Sequence, residues 1–325
     1  MSRLILTNGD TTVTGLRAAG IEGRLLPWRD ALHDGPVPGG LPLEELSRAR
    51  SRFLASEFRM DLGEVTRGFA ERDATVRDHA SHDRIELWFE HDLYDQLQLI
   101  QLLDLFASER RTAGIFLVQS QNYLGAMTPQ ALRALEPAAM PVSAEQFETA
   151  QRAWTAFTAS TPEEVARQAF AKSPAHPHLA PALRRLLQEL PAVGSGLSLN
   201  EERVLLAVRD APRTVAELFQ ITQQQEDARF LGDLPFFRIL DRMAFAPTPV
   251  ISGLPFESTQ PPYPGGAPDL RTFARSSVRA TNAGRAALAG QFDHASENGV
   301  DRWLGGTHLT SASLWRRDRE GGLVA

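Results

Sequence analysis

Apolar residues in the first 120 positions fall in short blocks separated by amphipathic stretches. Arg3–Thr7 predicts a strand that ends at the turn Asn8-Gly9-Asp10, and 11–19 predicts a helix. Residues 24–28 predict a second strand, whose Pro27 points to an edge position or an early end. A polar, Gly/Pro-rich loop covers 29–42. Two helices follow, 43–58 and 64–79, the first with Leu43, Leu46, Phe53 and Leu54 on one side. The block 85–90 predicts a third strand. It runs into Asp92, a natural N-cap for a helix ending near 107, with Asp95 at N3. Residues 114–118 are apolar throughout, as central parallel strands tend to be. This alternation predicts a parallel, Rossmann-like sheet.

From about residue 128 the period is helical. Ser143-Ala144-Glu145-Gln146 and Thr161-Pro162-Glu163-Glu164 read as capping boxes, the second with proline at N1. Residues 173–178 break the helices, and 191–196 read as a linker. Ser198-Leu199-Asn200-Glu201 is a third capping box. Helices over 199–209, 214–222 and 233–244 follow, then strands over 248–252 and 271–280 separated by a Pro/Gly-rich loop at 255–268. A last helix opens at Thr281. Three helices, a hairpin and a closing helix make a winged-helix-like pattern. The expected fold is therefore α/β: a Rossmann-like domain (1–127), a helical connector (128–197), a winged-helix-like domain (198–290) and a tail (291–325) docking on the N-terminal domain.

Composition narrows the chemistry. A chain of 325 residues predicts two domains, and the net charge of −6 argues against a nonspecific nucleic-acid or membrane-surface binder. There is no cysteine, which removes disulfides, thiolate metal sites and cysteine nucleophiles. Lys172 is the only lysine, so anions fall to arginine, backbone N–H groups or a helix N-terminus. No apolar run has the length of a signal-peptide core or a membrane span, and the expected location is the cytoplasm.

Polar groups concentrate after the three strands: Asn8-Gly9-Asp10, then 28–36, then Glu90-His91-Asp92. In a parallel sheet these share the carboxyl edge, where ligands bind. His91, His33 and Asp10 are the candidate catalytic groups, with His91 foremost as general base or metal ligand. Asn8, Arg29, Asp34, Glu90, Asp92 and Gln96 are candidate ligand contacts. Each has a plainer role open to it: an N-cap for Asp10 or Asp92, a surface ion pair for Arg29, a structural turn for His33 and His91, solvent for Glu90, a loop contact for Gln96. A divalent metal is a candidate cofactor, since His33, His91, Asp10 and Asp92 are acceptable ligands, although no tight ligand spacing exists. His176-Pro177-His178 reads as a linker because of its prolines. The paired glycines of 298–309 predict a close-packed turn that brings Arg302 and His308 to the crevice, or else a structural clasp. Gly-x-Gly-x-x-Gly after the first strand, a P-loop and a nucleophile elbow are all missing, so dinucleotide oxidoreductase, P-loop NTPase and serine hydrolase are unsupported.

The motifs Asn8-Gly9-Asp10, 28–36 and 88–96 resemble a bacterial family called domain of unknown function 1835. Phe230-Leu231-Gly232-Asp233 and 301–306 resemble its usual C-terminal companion domain. The resemblance spans nearly the whole chain and implies that the halves belong together; it implies no activity.

Three functions remain open. The first is a hydrolase or group transferase acting on a phosphorylated or nucleotide-like small molecule, with Arg29 on the anion. The second is a ligand-sensing regulator whose winged helix reads DNA, with Arg271, Arg275 and Arg279 on one strand face. That region carries ten arginines, ten acids and no lysine, and its third helix is mostly apolar, so DNA has weak support. The third is an interaction module presenting Phe236 and Phe237 to a protein partner. No membrane partner is expected.

Overall fold

The structure, a computed structural model, describes residues 2–260 and 266–325; part of the predicted 255–268 loop lies outside them. The chain divides into two compact units. The first comprises 1–56, 60–184 and 305–307, and the second 57–59, 185–304 and 308–325.

The first unit is built on a five-stranded sheet of order β2-β1-β3-β4-β5. Strands β1 (Arg3–Thr7), β2 (Arg24–Pro27), β3 (Arg84–Phe89) and β4 (Ile115–Gln119) are parallel, and the short β5 (Met140–Pro141) adds antiparallel to β4. Pro27 does stand at the end of an edge strand. Between the strands run α1 (Asp10–Ala18), α2 (Leu43–Glu57), α3 (Leu62–Arg77), α4 (Leu93–Ser108) and α5 (Pro129–Leu135). The helices α6 (Ala144–Phe157), α7 (Glu163–Phe170) and α8 (Leu179–Leu187) follow β5. Two capping expectations part here. Ser143 and Gln146 close a full capping box on α6. Helix α7 instead starts one residue later than its sequence suggests, with Pro162 at the N-cap and no side-chain cap, while the Thr161 hydroxyl bonds Glu163.

Residues 128–184, expected as a connector, belong to this unit. Leu132 of α5 joins Ile5, Leu16, Ile21, Trp88, Val118 and Leu124 in one buried cluster on the sheet. Phe147, Ala150 and Ala153 of α6 are buried, and α6 packs on α4. Helix α4 is therefore covered nearly all round. That explains why Gln96, Gln98 and Gln101 are buried beside its leucines. These glutamines tie down loops. Gln98 donates to the Asp30 carbonyl at 2.9 Å, and Gln101 accepts from Trp28 Nε1 at 2.7 Å.

The second unit holds α9 (Leu199–Val208), β6 (Arg213–Thr214), α10 (Val215–Gln224), α11 (Asp233–Ala244), β7 (Ile251–Ser252), α12 (Leu270–Arg275), β8 (Ser277–Ala280) and α13 (Asn282–Leu288). The three short strands form an antiparallel sheet of order β6-β8-β7. Then come α14 (His294–Asn298) and two hairpins, β9 (Asp301–Leu304) with β10 (Thr307–Thr310), and β11 (Arg316–Arg317) with β12 (Leu323–Val324). The expected strand 271–280 is corrected: its first half is helix α12, N-capped by Asp269, whose carboxylate accepts from Thr272 N at 3.0 Å. Arg271 and Arg275 therefore lie on a helix, and only Arg279 is on a strand. Phe236 and Phe237 are buried within α11's packing, so they cannot be displayed to a partner. Among the described residues, no helix is long and apolar enough to cross a membrane.

Candidate functional site: a buried carboxylate cluster

The chain leaves β3 at Phe89 and enters α4 at Leu93, so Glu90, His91 and Asp92 make a tight turn at the carboxyl edge of the sheet. Asp92 is the N-cap of α4 and accepts from Asp95 N at 3.2 Å, a bond that typically stabilises a helix by about 1 kcal/mol. Asp95 reaches back, accepting from Glu90 N at 2.7 Å. Gln96 donates to the Glu90 carbonyl at 2.7 Å. The turn is locked by its own side chains.

This locking brings three acids together. Glu90, Asp92 and Asp95 are all buried, and one carboxylate oxygen from each lies within 4.8 Å of the others. Asn8, at the end of β1, donates from one amide nitrogen to Glu90 at 3.1 Å and to Asp95 at 3.0 Å. Thr12 orients that amide by donating to its oxygen at 2.8 Å, and Leu124 N donates to Glu90 at 2.7 Å. Among the described residues no salt bridge reaches any of the three acids. Burial therefore dominates their protonation. Asp92 is pushed up to about 7 by burial and then by the charge of Glu90. Glu90 is raised by burial, and Asp95 rises well above the usual carboxylate range through burial and the charge of Asp92. The same all-oxygen set could hold a hard cation such as Mg²⁺, Ca²⁺ or Mn²⁺ rather than zinc.

His91 stands on the solvent side of the turn, partly exposed. Its ring lies 5.7 Å from that of Tyr123 and 5.9 Å from that of His178. Burial, then the neighbouring His91, lower the pKa of His178. The expected residues thus separate into groups. Asn8, Glu90, His91, Asp92 and Gln96 come together. Glu90 is buried rather than facing solvent.

Asp10 and Arg29 form an exposed pair of their own. Arg29 Nε donates to Asp10 at 2.8 Å, and this contact holds the Asp10 carboxyl below its usual range. His33 packs edge-on against Tyr94 at 6.0 Å. Its loop is clamped by the fully buried Arg50, which donates to Asp30 at 2.9 Å, to the Asp34 carbonyl at 2.7 Å and to the Ala31 carbonyl at 2.9 Å. Gly35 completes that loop with φ 84°, where a side chain would meet the Phe53 ring. Asp34 contributes its carbonyl to this clamp.

Arg302 and His308 make their contacts in the second unit, which leaves the structural clasp of the two readings. Arg302 donates to the Glu189 carbonyl, while His308 bonds Asp301 at 2.7 Å and stacks on Trp303 at 4.3 Å. Only 305–307 of the glycine turn belong to the first unit. There Gly306 N donates to the Phe157 carbonyl at 2.9 Å, in a space that an added side chain would fill.

Asp95, Tyr123 and His178 were not among the expected site residues. Asp95 was visible as an acid three positions after an acidic N-cap. His178 had no local signal, because its contact with His91 joins distant parts of the chain. No family model and no curated protein matches this sequence.

Proposed function

We propose that the first unit is an enzyme of the hydrolase or group-transfer class. Its ligand, phosphorylated or nucleotide-like, binds at the carboxyl edge of the sheet. His91 meets the ligand as general base, and the carboxylates behind it hold and exchange the proton. One observation carries the reading: three carboxylates are packed together inside the protein with no cationic partner among the described residues. Burying a charge without a partner costs several kcal/mol, and such costs concentrate at working sites. A group poised near pH 7, as Asp92 is, can both give and take a proton at neutral pH.

The test is a thermal-shift screen with nucleotides, sugar phosphates and divalent metals on wild type, His91→Ala and Asp92→Asn. A ligand that stabilises wild type and not His91→Ala supports the reading. A shift from Mg²⁺ or Mn²⁺ alone, lost in Asp92→Asn, makes the cluster a cation site. If every compound that shifts wild type shifts both variants equally, the assignment is overturned.

A second reading, a DNA-binding regulator, draws on the second unit. Its support is three helices, the strand order β6-β8-β7 and a closing helix, read as winged-helix-like, with Arg213, Arg271, Arg275 and Arg279 exposed around the short sheet. It requires duplex binding that weakens with salt.

A further inference from the structure

A cleft of ≈ 650 Å³ opens on the first unit between α1, the edge strand β2 and α3. Its size suits a small molecule rather than a macromolecule. Its lining mixes apolar residues, among them Val13, Leu25 and Pro27, with charges of both signs.

Three guanidinium groups face it with capacity to spare. Arg17 is exposed, and among the described residues its side chain makes no hydrogen bond. Arg24 spends one N–H on the Thr75 hydroxyl at 2.8 Å. Arg29 uses Nε and Nη2 on Asp10 and keeps Nη1. Its backbone sits at φ 54°, a left-handed conformation that costs a non-glycine residue roughly 1–2 kcal/mol. That strain is held by Arg29 N bonding the Asn8 carbonyl at 3.0 Å, and strained residues of this kind gather at ligand sites. Glu71 also lines the cleft, exposed and without a side-chain hydrogen bond among the described residues, and close enough to raise the pKa of Arg29.

We infer that this cleft binds a phosphorylated polyol: Arg17 and Arg24 take the phosphate, and Glu71 accepts hydrogen bonds from the hydroxyl groups. Planar guanidinium groups match phosphate oxygens, and an unpaired carboxylate accepts from hydroxyls. The apolar part of the lining suits the C–H face of a sugar. A bare anion would leave Glu71 unused and repelled, so the mixture of signs selects for a ligand with both halves. The inference does not depend on the carboxylate cluster, whose residues do not line this cleft.

Titration calorimetry of the full chain at low salt tests it. The probes are glucose 6-phosphate, ribose 5-phosphate and glycerol 3-phosphate, each beside its unphosphorylated parent and inorganic phosphate. At least one phosphorylated polyol should bind, more tightly than phosphate and with its parent at least tenfold weaker. Arg17→Gln, an exposed position with no bond to lose, should weaken that binding at least tenfold, and Arg17→Gln/Arg24→Gln further. Asp92→Asn should leave it unchanged, which keeps this result separate from the cluster's. No binding by any of the three phosphorylated probes, phosphate binding as tightly as they do, or unaltered binding in Arg17→Gln would each overturn the inference.

Discussion

Glu86 and Glu90 are four residues apart, the first within β3 and the second just beyond it, and both are buried. Glu86 has two arginines, Arg3 at 2.6 Å and Arg84 at 2.5 Å, and Trp88 Nε1 donates to it at 2.8 Å. Although burial pushes its pKa up, these hydrogen bonds win and hold the carboxyl below its usual range. Glu90 is surrounded by an amide, backbone N–H groups and two more acids, and its pKa rises. Dipoles alone do not offset the burial of three carboxylates. The difference separates an acid paired with cations, whose pKa falls, from acids left to dipoles and one another, whose pKa rises. Asp30 repeats the pairing, gripped by the buried Arg50.

The largest effect expected from breaking this contrast comes on the paired side. Removing both cations in Arg3→Met/Arg84→Met strands Glu86, and chemical denaturation should show a loss of about 3–5 kcal/mol. On the unpaired side the sign reverses. Asp92→Asn keeps the N-cap acceptor but removes a charge the interior disfavours, so it should raise the Tm by several degrees at pH 8 and by less at pH 5. The carboxyl's folded pKa lies above its unfolded one. Its contribution is therefore intact below the unfolded value and is lost as pH rises toward and past about 7. His91→Ala should change stability by less than about 1 kcal/mol, because the ring is partly exposed, while abolishing the shift from a ligand bound at the carboxyl edge. The smallest effect belongs to the second unit: if it reads DNA, Arg275→Ala should weaken binding modestly and reduce the salt slope by about 1.

Much of the parallel sheet was legible because its strands are continuous apolar runs and its helices open on recognisable caps. The edge position of β2 followed from Pro27, and the α4 N-cap from Asp92. What was not legible depended on contacts far along the chain. Glu90 reads as a solvent-facing acid until Asn8 and Leu124 are seen to close over it. His178 reads as linker until it packs on His91. The arginines at 271, 275 and 279 illustrate a different limit. A spacing of four places residues on one face of a strand and also about one turn apart on a helix, so the period could not decide. The Asp269 cap resolves it in favour of helix α12. For Arg302 and His308 the sequence left crevice and clasp both open, because two glycines fix the close approach of a backbone turn without directing the side chains around it.

The central claim is that Glu90, Asp92 and Asp95 are held without charge compensation, and the pH dependence of stability tests it most directly. Thermal denaturation of wild type and Asp92→Asn, without divalent cations, would be followed from pH 5 to pH 8.5. The account predicts that wild type loses Tm relative to the variant as pH rises, with the curves closest near pH 5 and several degrees apart at pH 8. Parallel curves, or a variant less stable than wild type at pH 8, would contradict it and place Asp92 among the ordinary structural caps.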